Sequence, residues 1–424
     1  NLEILFQQRI ENDLLLISVS TDSRTIQSNS LFFALSGDNF DGHKFVPNVL
    51  STANCMAVVD NKHIFSGENV IIVEDTLEAY SLLAKKYRSL FDVTSIALTG
   101  SVGKTTTKEY IYNVLSEASI TLKTYANENN IIGLSKTIFR LKPVHKYAIF
   151  EIGANHFGEI KKLSETCDPD IGIITAAGKT HLEFFKDEDG VFKEKTELFK
   201  RNLKLKFFPS DDERFSIFSG ITFGHDENAD YWIKSIKSIS GKTIFLVNNK
   251  SYEIPTSFDK FVLNATIAIA LASEMNIDPQ KIQKGLSKEL GISQRMQIKK
   301  NGGQSLLIDC YNANPDSMKA AIDFWIKFHP AKPHIAILGD MLEMGKKSRE
   351  LHREISEILR KISNKTIISV GQLSQEFNAD KHFPDVEKLI DGEMAKTFPA
   401  NSIILIKASH SIHLEKFVLN IEQN

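Results

Sequence analysis

TGSVGKTTTKE, Thr99 to Glu109, follows the apolar run Val93 to Leu98 and leads into a segment with helical spacing. Its lysine stands between Gly103 and Thr105, the arrangement of a loop that cradles phosphate between a strand and a helix. Glycines let backbone N–H groups turn inward, and the helix that follows aims its positive end at the anion. A full motif reads G-x-x-x-x-G-K-[ST], whereas here Leu98 takes the leading glycine position and leaves a shortened G-x-x-G-K-T. Gly100, Ser101, Gly103, Lys104, Thr105 and Thr106 are therefore expected around nucleotide phosphates. Lys104 would reach the outer phosphates, and the Thr105 hydroxyl a magnesium ion. By itself the stretch also reads as an ordinary glycine-bearing turn, so the phosphate's receiver has to be sought elsewhere.

Outward from this loop, long apolar strands alternate with helices: KYAIFEIG, GEIKKLSETC and DIGIITAAG follow in turn. That alternation predicts a mostly parallel sheet covered on both faces. From about Arg201 to Lys260 the chain turns strand-like, with GKTIFLV and KSYEIP resembling a small antiparallel addition, and VLNATIAIALASEM reads as a helix. Before the loop lie short strands (SVSTDS, LFFAL, CMAVVD, VIIVED) and the helix TLEAYSLLAKKYRSL. After Ser293, SLLIDC, HIAILGD, KTIISVG and SIILIKAS alternate with helical segments. The expected fold is α/β in three domains: a small N-terminal α/β domain over 1–84, a central phosphate-loop parallel-sheet domain over 85–292, and a C-terminal Rossmann-like domain over 293–424.

The bulk numbers agree with a globular chain of about three domains. The sequence has 424 residues, 42% hydrophobic and 25% charged, with a formal charge of -2. That balance argues against broad attraction to nucleic acid or anionic membrane, so polyanionic substrates must meet local positive charge. Cys55, Cys167 and Cys310 lie far apart and form no Cys-x-x-Cys pair, which supports neither a disulfide framework nor a thiolate zinc site. No apolar run reaches the roughly 18 residues of a membrane span. The opening NLEILFQQRIEND lacks a basic segment followed by an apolar one. A soluble, monomeric, cytoplasmic protein is the expectation.

Three further side chains bear on the loop. Glu151 ends the strand KYAIFEIG, on the sheet edge where open α/β folds bind ligands, and a carboxylate there can hold magnesium. His181 follows the next strand and should emerge on the same edge, where an imidazole suits a metal or a phosphate. In VFKEKTELF, helical spacing puts Phe192, Lys195 and Phe199 on neighbouring turns, so Lys195 would face inward while Lys193 and Lys200 stay in water. From spacing alone, Lys195 still reads as a surface lysine of a charged helix.

Taken together, STDSR from Ser20, FFAL-G--FDGHKF from Phe32, TGSVGKTTTKE, NENNIIGLSKT, EIGANHFGEI, HLEFF, KTELF, DCYNANPDSM and GDMLEMG resemble the Mur ligases of peptidoglycan synthesis. The resemblance runs from Ser20 to the last helix. YNANP and GDMLEMG match the branch that adds a D-Ala-D-Ala dipeptide, and the DNPR segment of the branch that adds diaminopimelate or lysine is missing. What the resemblance implies is ATP-dependent amide formation: ATP phosphorylates the terminal carboxylate of UDP-N-acetylmuramoyl-tripeptide, and the amine of D-Ala-D-Ala attacks the acyl phosphate.

The resemblance also implies roles. Lys104, Thr105 and Glu151 would serve the phosphates and a first Mg2+, and His181 with a carbamylated Lys195, formed with CO2, a second. Ser23, Arg24, His43 and Lys44 fall in segments like the uridine nucleotide site, and Asn127, Asn129, Asn130 and Thr137 in the segment near the muramoyl substrate. Asn264, Arg295 and Asp309 match adenine, phosphate and ribose contacts. Tyr311, Asn312 and Asn314, with Lys407 and His410, lie on the dipeptide side. The family's HN-x-x-N segment appears here as KFVLN from Lys260, its NADD turn as FFPSDDE, and its GSR as ASH with His410 in the arginine position. A P-loop switch or motor remains the alternative class; it would hydrolyse ATP without an acceptor.

Overall fold

The computed structural model describes residues 2–6, 14–63 and 65–423; most of the opening stretch, read above for a leader pattern, lies outside them. Among the described residues three main sheets follow one another along the chain. The first is four-stranded and parallel, in the order Ser18–Ser20, Ser30–Phe33, Met56–Asp60, Val70–Val73. Its strands are short because only Phe32, Phe33, Val58 and a few neighbours are fully enclosed.

Helix Thr76–Arg88 covers this sheet and passes through the expected division at residue 84. Asp75 starts it by accepting Leu77 N–H and Glu78 N–H at 2.7 and 2.9 Å, satisfying two otherwise orphan donors. Tyr80 then packs edge-on against Phe33 of the first sheet at 5.0 Å and against Phe139 of the central region at 5.3 Å. One helix thus ties two cores together.

The central sheet has nine strands, and Thr94–Thr99 sits inside it between Tyr147–Glu151 and Ile171–Ile174, all parallel. Ile96 and Leu98 are wholly enclosed, which is why this strand reads as an unbroken apolar run. Three parallel neighbours send their following loops to one edge, so residues after Thr99, Glu151 and Ile174 converge there. The expected antiparallel addition is present as Tyr231–Ile239, Lys242–Val247 and Lys250–Ile254, and it continues the same sheet. Ser240-Gly241 and Asn248-Asn249 make its two turns with positive φ at both positions, the backbone that two-residue hairpins need.

The third sheet has six strands, with Gln304–Asp309, Ile403–Lys407, His334–Gly339 and Lys365–Val370 as its parallel centre. Gln297–Asn301 adds an antiparallel edge, and Lys381–Phe383 closes the other side. Helix Pro315–Lys327 packs on this sheet, its Trp325 indole N–H donating to Ile403 carbonyl at 3.1 Å. All three cysteines are free and buried. Among the described residues no helix is long and apolar enough to cross a membrane.

Candidate active site

Gly100 and Gly103 hold φ of 152° and 84°, and helix Lys104–Ser116 begins at once. A Cβ on Gly100 would collide with the Thr175 hydroxyl, and one on Gly103 with the Asn264 amide. Both positions therefore exclude side chains by space as well as by backbone. The loop is fastened from behind: Ser101 N–H donates to Ala176 carbonyl at 2.9 Å, and Thr175 Oγ1 to Val102 carbonyl at 2.6 Å. Lys104 Nζ donates to Gly100 carbonyl at 2.5 Å. Burial is the main influence that brings its pKa down to about 8, with Glu151 opposing and Arg295 adding to the fall. A polyphosphate beside Lys104 would oppose that fall and favour the charged form.

Glu151 is 1% exposed and faces the loop from the adjoining strand, where Leu98 is its register partner. Its Oε1 accepts from Thr105 Oγ1 at 3.1 Å and Asn129 Nδ2 at 3.2 Å. Its Oε2 is enclosed without an aligned hydrogen bond, although Lys108 Nζ stands 3.3 Å away. A buried carboxylate oxygen left in this state, beside a threonine hydroxyl, is a donor set suited to a hard divalent cation.

His181 does emerge on the same edge, with φ of 49°, and its Nδ1 meets Glu343 Oε2 of the third sheet's region at 2.5 Å. Lys195, read from spacing alone as a surface lysine, is instead 1% exposed in helix Glu188–Thr196, while Lys193 and Lys200 are exposed. Its Nζ lies 5.8 Å from the Phe185 ring centre. Burial first, then the charge of Lys104, draws its pKa down to about 7, against the pull of Glu194 and Glu159. A lysine in that condition offers a neutral amine near neutral pH, which carbamate formation requires.

Across the edge the third sheet supplies a facing wall. Arg295 lies 4.0 Å over the Tyr311 ring. Asp309 accepts Met296 N–H at 3.1 Å and Lys407 Nζ at 2.6 Å, and the same Nζ donates to Asn312 carbonyl at 2.9 Å. Asn314 caps helix Pro315–Lys327 by accepting Ser317 N–H at 2.8 Å, and the serine hydroxyl accepts Asn314 N–H in return. A cleft of about 720 Å³ joins the two walls. Ser101, Gly103, Lys104, Thr106, Asn129, Asn130, Glu151, His181, Asn264, Arg295, Asp309, Tyr311, Asn312, Asn314 and Lys407 all line it.

Some expected residues also brace the structure, and others stand apart from this cleft. Asn264 lines it, yet also braces the loop by donating to Thr107 Oγ1 at 2.9 Å. Asn130 caps helix Ile131–Ile138 through Gly133 N–H, Asn127 is exposed, and the buried Thr137 hydroxyl points at Glu128. His410 is exposed, its ring 5.7 Å from Tyr311 and outside the cleft lining. Ser23, Arg24 and Lys44 lie on the first domain, with Arg24 paired to Asp22 at 2.8 Å.

His43, expected against the uridine nucleotide, turns inward and is 2% exposed. Its Nε2 accepts Asp60 N–H at 3.1 Å, so its proton resides on Nδ1 and is shared with Asp41 at 2.9 Å. The His63 ring stacks on it at 3.9 Å. Asp41, His43 and His63 gather ligand atoms within 4.8 Å, but this tautomer leaves His43 no lone pair for a metal. The group is a hydrogen-bonded clamp within the FDGHKF loop.

Residues 98–272 fit the family model described as Mur ligase middle domain, and 294–410 the one described as Mur ligase, glutamate ligase domain. The chain belongs to the Mur ligase family. It is similar to the UDP-N-acetylmuramoyl-tripeptide–D-alanyl-D-alanine ligase of Bacillus subtilis, 30% identical over 423 residues that cover 95% of this chain and 92% of the relative. The ligase of that name in Synechocystis is 31% identical, covering 97% and 93%. Among solved structures, MurF from Acinetobacter baumannii superposes with a TM-score of 0.90 at 28% identity, covering 100% of this chain and 98% of that one.

Two residues of this Mur ligase site carry no role in the sequence reading. Lys108 is wholly buried beside Glu151 and Glu109, 3.3 and 3.5 Å from their carboxylates, and donates to Ala126 carbonyl at 3.2 Å. Its signal was the spacing of four from Lys104, one helical turn on the same face. Glu343 sits within the quoted GDMLEMG, but nothing local to that segment points to His181.

Proposed function

We propose that this Mur ligase joins D-Ala-D-Ala to the tripeptide of UDP-N-acetylmuramoyl-tripeptide, using ATP and passing through an acyl phosphate. The observation that carries the reading is the single cleft in which a phosphate loop and a buried carboxylate on one sheet edge face Arg295, Tyr311 and Asn314 of another domain. The relatives named for this reaction span nearly the whole chain.

A carboxylate oxygen of the tripeptide attacks the γ-phosphorus and ADP departs; the dipeptide nitrogen then attacks the acyl carbon, phosphate leaves, and the ammonium proton is released. Both steps gather anions, so the chain's part is chiefly charge neutralisation and alignment. Lys104 and the N-terminus of its helix receive the phosphates. Thr105 and Glu151 would hold one Mg2+, and His181 with a Lys195 carbamate another; magnesium, when bound, withdraws charge from the phosphoryl oxygens. The carbamate forms when the neutral Lys195 amine adds to CO2 and loses one N–H proton. Lys108, with Nζ 3.3 Å from Glu151 Oε2, helps to hold that carboxylate aimed at the loop. An α-amino group titrates near pH 8, so an appreciable fraction of the dipeptide is already nucleophilic at neutral pH. Asn129 and Asn130 approach the acceptor from the central domain, while Asn312, Asn314 and Lys407 serve the dipeptide side. On this reading the enzyme works as a cytoplasmic monomer.

Purified protein should release phosphate from ATP only when the nucleotide tripeptide and D-Ala-D-Ala are both present. Release without any acceptor would favour the switch class, and release with free diaminopimelate or lysine as amine donor would favour the sibling ligase.

A further inference from the structure

The third domain touches the central one through the loop of GDMLEMG. Three contacts converge there. Glu343 Oε2 stands 2.5 Å from His181 Nδ1, and the Glu343 carbonyl accepts Glu183 N–H at 3.1 Å. Gly345, with φ of 60°, lies so near that an added Cβ would be 3.0 Å from Glu183 Cα. Glu343 and His181 themselves hold φ of 63° and 49°, a backbone that side chains disfavour and that surrounding structure must impose. Two such residues facing each other across a domain boundary mark a contact that the fold maintains.

We propose that Glu343 is a positioning residue for His181, so that the phosphate cleft gains this imidazole in working orientation only when the third domain is seated. At 2.5 Å two lone pairs would repel, so the proton lies on Nδ1, even though the carboxylate approaches off the ideal hydrogen-bond line. A neutral imidazole has one N–H, and Nε2 therefore keeps its lone pair. That is the tautomer a divalent cation needs, and a carboxylate behind the ring is the usual device for fixing it. His181 lines the cleft together with Lys104 and Glu151, which belong to the central domain, whereas its orienting carboxylate comes from the third. Seating of the domain and completion of the site become one event, and by linkage whatever favours one favours the other. The inference rests on the ligase reading and on the use of magnesium in that cleft.

The test compares full-length wild type, Glu343→Ala and Glu343→Gln. Phosphate release is followed against Mg2+ concentration with all three substrates saturating, and X-ray scattering of the ADP complex is recorded with and without Mg2+. Glu343→Ala should raise the half-saturating Mg2+ concentration about tenfold, and Mg2+ should contract it less than wild type. Glu343→Gln, whose amide oxygen still accepts from Nδ1–H, should recover most of both. An alanine variant with wild-type Mg2+ half-saturation and wild-type contraction overturns the proposal, however slow or thermally weakened it is. A wild type that releases no phosphate with both acceptors would instead refute the ligase reading, and the scattering comparison would still decide the role of Glu343.

Discussion

Lys195 is buried with Phe185 as its aromatic neighbour, and burial first, then the charge of Lys104, lowers its pKa to about 7. A side chain so enclosed gains from becoming an anion only if a cation awaits it, which is the situation a carbamate beside magnesium provides. Lys195→Ala is accordingly expected to lose activity on the order of a hundredfold, and short-chain carboxylic acids added to the assay should restore part of it by filling the vacated space with a carboxylate. Wild-type-like phosphate release from the unrescued variant would remove the carbamate from the mechanism. His43 shows the opposite case. The resemblance implies a place for it near the uridine nucleotide, and in the fold an Asp60 N–H and the Asp41 carboxylate occupy both of its ring nitrogens. The letters FDGHKF are the same in either case; only the tertiary partners distinguish contact from clamp.

At the scale of elements, the GDMLEMG loop is held at three consecutive points. Asp340 accepts Ser374 N–H at 2.7 Å, Met341 N–H donates to His352 Nε2 at 3.0 Å, and Leu342 N–H donates to Ser409 Oγ at 2.9 Å. His352 Nδ1 gives its proton to Ser348 carbonyl at 2.6 Å, so the ring is neutral and acts as acceptor for the loop. Burial depresses its pKa from the ordinary 6.5. The unfolded chain therefore binds a proton that the folded one refuses. Stability is full above about pH 6.5 and falls as pH drops below it, levelling once the folded pKa is passed. Urea unfolding at stepped pH should show this slope, and His352→Gln should flatten it; an unchanged slope in the variant would assign the effect elsewhere. The loop's importance was legible from its motif, but its partners were not, because they come from distant chain segments. The central parallel strands were legible for a related reason: enclosed on both faces, they are apolar throughout. Gln297–Asn301 was missed because an edge strand reading QIKKN is polar and only half-buried, and pairing with Gln304–Asp309 is what makes it a strand.

The whole molecule turns on how the third domain meets the central one. Its wall of the cleft carries Arg295, Asp309 and Tyr311, and the joining segment enters it just before them. Gly291, Gln294 and Met296 all have positive φ, of 62°, 60° and 46°. Tyr311 N–H donates to Gln294 carbonyl at 3.2 Å and Met296 N–H to Asp309, so the later part of the segment is fastened to the third domain. Rotation between domains is then left to the residues before Gln294, where Gly291 stands in open surroundings: a Cβ there would meet nothing within 4 Å. Gly291→Ala thus changes backbone preference without adding a clash. It should cost about 1 kcal/mol of stability, the penalty for a left-handed residue that gains a side chain. As a hinge change remote from the chemistry, it should also shift kcat and KM together rather than either alone. Steady-state kinetics with the nucleotide tripeptide, set beside denaturant unfolding of the same variant, separates the two effects. Unaltered kinetics with the expected stability loss would locate the axis of closure in another part of the segment.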